Sequence, residues 1–471
     1  MPRHLLVTSA VFGLLAGCAS VPGLEPKPVM VAAESLPSAQ SFADARGVWP
    51  AEGWWRGFGD AQLDALIAEG LAGSPDLRAA AARVRGADAL ARQAGAALLP
   101  RVGAEASAGG VQQSKNMGIP PAFVPGGVQD TGHVAATIAF DLDLWGRSRA
   151  ALAAATSEAE AARVDAAQAR LMLTTGIAGA YADLAAYHAA RDVARDAVRI
   201  REASARLSAD RARAGLENQA AERQAESRAA SASADLAVLD EAIALTHNRI
   251  AALLGAGPDR GRAIARPALA SQGLALPPEA GVGLVGRRPD VVAARLRAEA
   301  AARRIDVARA DFYPNISLSA LVGLQSLGLA NLFKAGSDYG QGGAAISLPV
   351  FQGGRLEGRY RGARADYDAA VAAYDRTLVA ALRDVADIVA GREATERQLQ
   401  GRRTARDAAA EAARLAALRY RAGLSNQLAQ LTAEDSLVAL DRQVADLEAR
   451  RLSLDIALIR ALGGGYTTGD E

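Results

Sequence analysis

The apolar positions of this chain follow a helical period over most of its length and an alternating period in four short stretches. The residues from Arg147 to Ala214 and from Arg355 to Ala422 include no proline. Apolar residues recur there three or four positions apart, which is the spacing of one face of an α-helix. At 1.5 Å per residue, each stretch predicts a helical rod about 100 Å long. The apolar stripes are Leu173, Ile177, Tyr181 and Leu184 in the first rod and Val371, Tyr374, Leu378, Leu382, Val385 and Ile388 in the second.

Each rod ends in nearly the same short sequence. The segment Arg211–Ala221 recurs as Arg419–Ala429, 208 residues later. In each copy a glycine can adopt the left-handed conformation that ends a helix, and an asparagine can cap the helix that follows. These residues are Gly215 and Asn218 in the first copy and Gly423 and Asn426 in the second. The two turns predict helical hairpins whose return helices cover 218–254 and 426–462.

The correspondence between the two halves extends along the whole chain. Gly146 matches Gly354 and Leu254 matches Leu462 at the same offset, and farther upstream the offset becomes 214 residues. The upstream matches are Pro75 with Pro289 and Pro100 with Pro314. We therefore predict a tandem duplication with structural repeats at 54–262 and 263–463. Because the halves share long helices, we expect one interleaved fold.

Four stretches alternate apolar and small polar residues, as β-strands with two different faces do. They are predicted as two hairpins, over 101–142 and 315–351, each following a proline that ends a helix. The apolar positions that share one side of each strand are Val102, Ala104, Ala106 and Ala108; Val134, Ala136, Ile138, Phe140 and Leu142; Ile316, Leu318, Ala320, Val322 and Leu324; and Ile346, Leu348 and Val350.

The length of these strands is that of strands that cross an outer membrane. A membrane-spanning strand needs about 9–11 residues, and no helical stretch after residue 17 is apolar enough to span a bilayer. Four strands cannot close a barrel, because the smallest membrane barrels have about eight. A membrane-spanning interpretation therefore requires at least two chains, whereas a soluble β-sandwich would share the same alternation.

The first residues resemble the signal of a bacterial lipoprotein. Arg3 and His4 precede an apolar run from Leu5 to Leu15, which is too short to cross a bilayer but suits a signal peptide. The sequence Leu-Ala-Gly-Cys follows, so residues 1–17 are predicted to be removed and Cys18, the only cysteine, to carry the lipid. The Pro-, Ser- and Ala-rich residues 18–53 are then expected to form an extended tether.

The remaining elements are shorter. A short amphipathic helix is predicted to end near Gly73, and a second helix to run from Asp76 to Leu99, with its equivalent at 290–313. The segment from Leu254 to Arg288 contains four prolines and is expected to be irregular. Residues 464–471 are expected to form a C-terminal tail.

Neither the composition nor the motifs favour an enzyme or a nucleic-acid-binding protein. The net charge is +1 and the arginines are spread along helices among acids, so there is no basic patch for nucleic acid. Gly281–Gly286 fits a dinucleotide-binding pattern, but no strand precedes it. His133, His188 and His247 lack metal-ligand spacing. We therefore predict no catalytic residues, no cofactor and no bound metal.

Several segments of this sequence resemble the outer-membrane factors of tripartite efflux systems, the TolC type, and in particular their NodT-like lipoprotein branch. The resemblance covers nearly the whole chain after the signal peptide. The segments that carry it are Trp54–Leu66, Asp141–Arg147, Arg287–Val291, Ala308–Leu318, Leu348–Arg355 and the two Arg-Ala-Gly-Leu turns.

The resemblance implies a mainly α fold with a membrane β-barrel portion. Three chains would contribute four strands each to a 12-stranded barrel that continues into a long periplasmic α-helical barrel. The implied homotrimer lies in the outer membrane, anchored by lipid, and extends into the periplasm. It would conduct substrates passively from an inner-membrane pump, with the proton-coupled RND type favoured, through a periplasmic membrane-fusion adaptor. The alternatives are a channel for type I polypeptide secretion and a structural periplasmic coiled-coil lipoprotein without a pore.

The resemblance also places both turns at the periplasmic tip, where they would contact the adaptor. The residues concerned are Arg213, Gly215, Leu216, Arg421, Gly423 and Leu424. Members of the family often carry aspartates six and nine residues after the second tip glycine, but this chain has Ala429 and Thr432 there. The nearest acids, Glu222, Glu434 and Asp435, are therefore the candidate aperture residues. The sequence does not fix which of them face the lumen.

Overall fold

The computed structural model of this chain describes residues 21–38, 40–42, 46–116, 118–271 and 273–467. The predicted signal peptide and Cys18 lie outside these residues. Helices make up most of the described part. In chain order they are α1 Ala61–Gly73, α2 Pro75–Ala96, α3 Arg147–Arg213, α4 Gln219–Leu253, α5 Pro258–Arg262, α6 Ala280–Arg287, α7 Pro289–Ala310, α8 Arg355–Arg421 and α9 Gln427–Ala461.

The helices recur in pairs of equal length, which confirms the internal duplication. α2 and α7 have 22 residues each, α3 and α8 have 67, and α4 and α9 have 35. The two longest helices are the predicted rods. They continue without a break because no proline interrupts their hydrogen-bond ladder.

The helix α2 ends three residues earlier than predicted. Its last helical residue is Ala96, whereas the sequence pattern continues to Leu99. The amides of residues 97–99 instead donate to carbonyls three residues back, at 3.0–3.2 Å, as in a tightened last turn. Leu99 precedes Pro100, and a residue before proline is disfavoured in the α conformation.

The four strands form one antiparallel sheet in the order β1-β2-β3-β4. They are β1 Arg101–Val111, β2 Gln129–Leu142, β3 Asn315–Leu327 and β4 Asp338–Ser347. The register places Val102 opposite Ile138, Phe140 opposite Leu318, and Ile316 opposite Ile346. The predicted apolar positions within the strands therefore share one face. The other face is polar and carries Glu105, His133, Asp141, Ser317, Tyr339 and Gln341.

The fourth strand lies farther upstream than the sequence pattern indicated. The hairpin was expected to end at residue 351, but β4 ends at Ser347, and Leu348 and Val350 lie beyond it. Ser347 pairs with Asn315, the first residue of β3, so later residues have no partner strand, and Pro349 could not donate a hydrogen bond. The start of β4 escaped prediction because Gly340, Gly342 and Gly343 hide its alternation.

The chain divides into two compact units that do not coincide with the two sequence repeats. The first combines Val84–Ala162 and Ala294–Tyr374 with the N-terminal segment that ends at Met30, and it contains the sheet. The second combines Val31–Arg83, Arg163–Ala293 and the chain from Asp375 onward. Each unit draws on both predicted repeats, so the halves are interleaved, but the chain divides into two compact units where one was expected.

The second unit contains the principal hydrophobic core. A short 3-10 helix, Trp54–Phe58, places its aromatic rings against α1 and the middle of α3. The predicted apolar stripe of α3 lies in this core, and Tyr181 is fully buried. The other members include Leu63, Leu66, Ile67, Ile177, Leu184, Ile250, Ile456 and Ile459.

A half-buried group of hydrogen-bonded side chains around Asp60, here called the polar node, fixes the start of α1 to this core. The Asp60 carboxylate caps α1 by accepting from the Gln62 N–H at 2.9 Å, and it also accepts from the Tyr181 hydroxyl at 2.8 Å and the Ala268 N–H at 2.9 Å. Burial alone would raise the pKa of Asp60, but these hydrogen bonds outweigh it and lower the pKa below its ordinary value. Burial, with the hydrogen bond to Asp60, raises the pKa of the Tyr181 hydroxyl. Tyr181 therefore stays neutral and donates to an ionised Asp60.

The N-terminal segment is extended, as expected of a tether, but it packs against the rest of the chain. In the first unit, Arg364 donates to the Glu25 and Pro26 carbonyls at 3.0 and 2.6 Å, and the Tyr367 hydroxyl donates to the Pro28 carbonyl at 3.0 Å. In the second unit, the Val31 N–H donates to Asp375 Oδ1 at 2.9 Å. The sequence could not reveal these contacts because each joins residues more than 300 positions apart.

Two other segments are more ordered than the sequence indicated. The segment from Leu254 to Arg288 was expected to be irregular, but it forms the short helices α5 and α6. The tail begins in packed structure: a Cβ at Gly464 would lie 2.2 Å from Leu171 Cδ1, and one at Gly465 would lie 2.6 Å from the Ala51 carbonyl carbon. Among the described residues, no helix combines the length and the apolar character that crossing a membrane requires.

We predict that Tyr181→Phe lowers the free energy of unfolding by about 1–3 kcal/mol, because the half-buried Asp60 carboxylate loses one of its donors. Thermal unfolding of the purified protein would measure this. Tyr187→Phe is the matched control, since the Tyr187 hydroxyl has no hydrogen bond within the described part of the chain. Equal melting of the two variants would contradict the prediction.

The same node predicts a pH dependence. The pKa of Asp60 in the folded chain lies below the ordinary value of 3.8, so its ionised form stabilises the fold fully above that pH. The contribution is lost as the pH falls through the lowered folded-state pKa. The melting temperatures of wild type and Asp60→Asn should therefore converge at acid pH.

Candidate functional site

The candidate site consists of the two helix-ending turns, which have the same backbone structure. In the first turn Gly215 has φ 71°, its N–H donates to the Ala212 carbonyl at 3.1 Å, and the Leu216 N–H donates to the Arg211 carbonyl at 2.9 Å. The second turn repeats this at Gly423, φ 70°, with donor–acceptor distances of 2.9 and 2.8 Å. This pair of bonds is the Schellman motif, which satisfies the last carbonyls of α3 and α8.

Each return helix begins with the predicted asparagine cap. The Asn218 side chain accepts from the Ala221 N–H at 2.9 Å, and Asn426 accepts from the Ala429 N–H at 3.0 Å. Ala429 occupies a position where the resemblance led us to look for an acid. Here its backbone amide is bound by the cap, and its side chain carries no charge.

The most exposed apolar side chains of the two turns are those of Leu216 and Leu424. They are 70% and 71% exposed. In a Schellman motif the residue at this position usually packs on the side chain five residues earlier, but those side chains are Arg211 and Arg419. The space beside the two glycines is also open, since a Cβ at either would meet no atom within 4 Å. Each turn thus presents an uncovered leucine beside an unobstructed backbone.

The two predicted contact arginines differ in their surroundings. Arg213 forms an ion pair with Asp210 on its own helix, whereas the one acceptor of Arg421 among the described residues is the Ala417 carbonyl, at 3.4 Å. A further ion pair, between Arg211 and Glu217 at 3.1 Å, spans the first turn. The second turn has serine at the position equivalent to Glu217, so this bridge has no counterpart there.

The three candidate aperture acids have different partners. Glu222 is half-buried and lies close enough to Arg223 to contribute, after Glu226, to raising its pKa. Glu434 accepts from the Gln430 side chain at 2.9 Å on its own helix. Asp435 pairs with Arg201 Nε at 3.1 Å, and this contact joins α9 of the second hairpin to α3 of the first.

The Arg201–Asp435 pair borders a cavity of about 260 Å³ between the two hairpins. Its lining combines Glu217 and Arg228 with the apolar residues Leu428 and Leu431. The sequence analysis missed Arg201 and Glu217. One signal was available for Arg201: it has no acidic residue three or four positions away on its helix, so a partner on another element could have been expected.

Comparison with known proteins agrees with this geometry. The family model described as outer membrane efflux protein matches residues 66–256 and 284–464. The fusaric acid resistance protein FusA of Burkholderia cepacia is 35% identical over 99% of this chain and 89% of its own length. The multidrug resistance outer membrane protein MdtP of Escherichia coli K12 is 31% identical over 97% of this chain and 95% of its own length.

Solved structures show the same fold. The outer membrane protein VceC of Vibrio cholerae superposes with a TM-score of 0.82 at 43% identity, covering 88% of this chain and all of that one. The chain belongs to the outer membrane efflux protein family, and it is an outer-membrane channel component of an efflux pump that extends into the periplasm.

Proposed function

We propose that three copies of this chain assemble into a passive conduit. Each copy contributes four strands to a 12-stranded outer-membrane barrel, and the helices form a periplasmic α-barrel that receives substrate from an inner-membrane pump, with the proton-coupled RND type favoured, through a membrane-fusion adaptor. The observation that carries the proposal is the sheet, whose edge strands β1 and β4 each pair on one side only. In a bilayer their free backbone groups need partners from other copies.

The cargo is proposed to be small toxic molecules. The names of FusA and MdtP refer to fusaric acid resistance and multidrug resistance, which supports small molecules rather than polypeptides for this chain. Deleting the gene should sensitise cells to such compounds, and the purified protein should run as a heat-modifiable trimer and form pores in planar bilayers. A monomer without pore activity would contradict the proposal.

We propose further that residues 54–262 and 263–463 are the two structural repeats, and that Cys18 is the site of lipid attachment. The equal lengths of the paired helices support the repeats, and the lipoprotein-type signal supports the anchor. Cells grown with labelled palmitate should label the wild-type protein and not Cys18→Ser. Labelling of the variant would exclude Cys18 as the anchor.

The two turns are proposed to bind the adaptor through Arg213, Gly215, Leu216, Arg421, Gly423 and Leu424. The exposed leucines and the open space beside the glycines support this. Gly423→Ala should cost about 1 kcal/mol of stability, because a side chain is strained at positive φ, yet the trimer should reach the outer membrane. Efflux and adaptor crosslinking should be lost in this variant and in Leu424→Asp.

Gly127→Ala is the matched control for the glycine. Gly127 has φ 78° and equally open surroundings, but it lies between β1 and β2. The backbone strain is therefore similar while the tip is unchanged. Normal efflux in Gly423→Ala at normal abundance would contradict an adaptor role for this turn.

The aperture is proposed to depend on Glu222, Glu434 and Asp435, and the last two are proposed to act in different ways. Glu434 has no arginine partner within the described residues, so three-fold symmetry would give a ring of negative charge that attracts cations. Glu434→Gln should therefore reduce cation selectivity in single-channel recording. Asp435 is paired with Arg201, so Asp435→Asn should instead loosen the contact between the hairpins and increase resting conductance.

A charge reversal separates these two effects. Arg201→Asp and Asp435→Arg should each increase resting conductance, and the double variant should restore it towards the wild-type value. The exposed part of this ion pair limits its contribution to about 0.2–1 kcal/mol, so a change in conductance without loss of the trimer is expected. If the resting conductance of the double variant does not recover, the Arg201–Asp435 pair does not control the aperture.

A further inference from the structure

A cavity near the sheet lies where the apolar face of the sheet ends. It has a volume of about 530 Å³ and is bordered by the residues that follow β2 and those that precede β3. Trp145 lies three residues after β2, and Tyr313 lies two residues before β3. The apolar face of the sheet ends at Leu142, opposite Ile316. The cavity therefore begins within a few residues of the apolar band.

An aromatic pair, Trp145 and Tyr313, forms one wall of the cavity. The rings of Trp145 and Tyr313 stack with their centroids 4.7 Å apart and an interplanar angle of 21°. The Trp145 indole N–H donates to the Pro314 carbonyl at 2.7 Å, which fixes the ring, yet 51% of this residue is exposed. Half-exposed Trp and Tyr rings beside an apolar band are typical of the headgroup level of a membrane.

Three arginines and a single aspartate line the rest of the cavity. The arginines are Arg149, Arg303 and Arg309, and the aspartate is Asp306. The ion pair between Arg303 and Asp306 is long, at 3.9 Å, and Arg149 is paired with Asp143 at 3.2 Å. Arg309 is exposed and has no partner among the residues that the structure describes. The lining thus has an excess of positive charge with donors that are not saturated.

A second depression shares Trp145, Ala310 and Tyr313 with the cavity. It is bordered by Asn315 and Ser347, and by Arg147 and Asp311, which are ion-paired at 2.7 Å. Around α3, Arg149 lies about 200° from Arg147, since successive residues turn by about 100°. Arg149 and Arg147 therefore lie on different sides of α3, and of these two only Arg149 lines the cavity.

We propose that this cavity binds the phosphate of a phospholipid headgroup from the periplasmic leaflet of the outer membrane. The helices extend from this end of the sheet into the periplasm, so the aromatic pair lies at the level of the inner leaflet. Guanidinium groups bind phosphate oxygens by charge-assisted hydrogen bonds, and Arg309 is free to do so. This inference depends on the membrane position of the sheet and not on the adaptor or the pump.

The test is native mass spectrometry of the full-length protein after delipidation in detergent. The added probes are phosphatidylethanolamine, phosphatidylglycerol, diacylglycerol, which lacks phosphate, and inorganic phosphate. Arg303→Gln/Arg309→Gln should weaken binding of both phospholipids about tenfold, the loss expected for a charge-assisted hydrogen bond. Arg304→Gln is the control, because Arg304 is paired with Glu158 at 2.9 Å and does not line the cavity. It should bind within about twofold of wild type.

Each of several results would overturn the proposal. If diacylglycerol binds as tightly as the two phospholipids, the cavity recognises only the apolar part of the lipid. If inorganic phosphate displaces the bound lipid, the cavity is a site for the free anion. Equal loss in Arg304→Gln would place the effect outside the cavity. If the double variant fails to form trimers, a second experiment compares wild type with Trp145→Phe, each reconstituted with lipid brominated near the headgroup. The bromolipid should quench tryptophan fluorescence in the wild type, and this quenching should be lost in Trp145→Phe. Equal quenching in the two proteins would contradict the proposal.

Discussion

Two unpaired strand edges constrain everything else in this chain. In the part of the chain that the structure describes, the sheet has four strands, and β1 and β4 each leave one row of backbone N–H and C=O groups without partners. Water satisfies such groups in a soluble protein, but hydrocarbon cannot, at a cost of several kcal/mol per group. A membrane-spanning sheet of this size is therefore incomplete as a single chain. The apolar face of the sheet and its polar face then become the outside and the lining of a closed barrel.

The helices of the second unit are rich in alanine and therefore bury little apolar area per residue. Ordinary packing between α3 and its neighbours is supplemented by the aromatic residues Trp54, Trp55 and Phe58 and by the Asp60–Tyr181 node. The node joins three segments that are distant in sequence, because the Asp60 carboxylate accepts hydrogen bonds from all three. These bonds offset the cost of burying its charge. The strong contacts are thus concentrated near the middle of the rods, and the turns at their far ends are left exposed.

The sequence predicted those features that depend on local rules. The rods follow from the absence of proline, and both turns follow from a glycine and an asparagine at fixed spacing. The start of β4 could not be predicted, because Gly340, Gly342 and Gly343 have no side chains to alternate. The sequence around Arg201 indicated a partner on another element but could not identify Asp435, since the two residues are 234 positions apart and only the packing of two hairpins brings them together. Periodicity reports an element's own face, and it does not report which other element covers that face.

The duplicated turns separate what folding needs from what the two hairpins do. Both copies keep the glycine at positive φ, the asparagine cap and the exposed leucine, and their hydrogen-bond distances differ by no more than 0.2 Å. The charges have diverged. Arg201, Glu217 and Asp435 correspond to Ala409, Ser425 and Ser227 in the other copy. An ion pair across one turn and another between the hairpins therefore exist once per chain, so two equal backbones present unequal surfaces, and any partner at the tip meets two distinct sites.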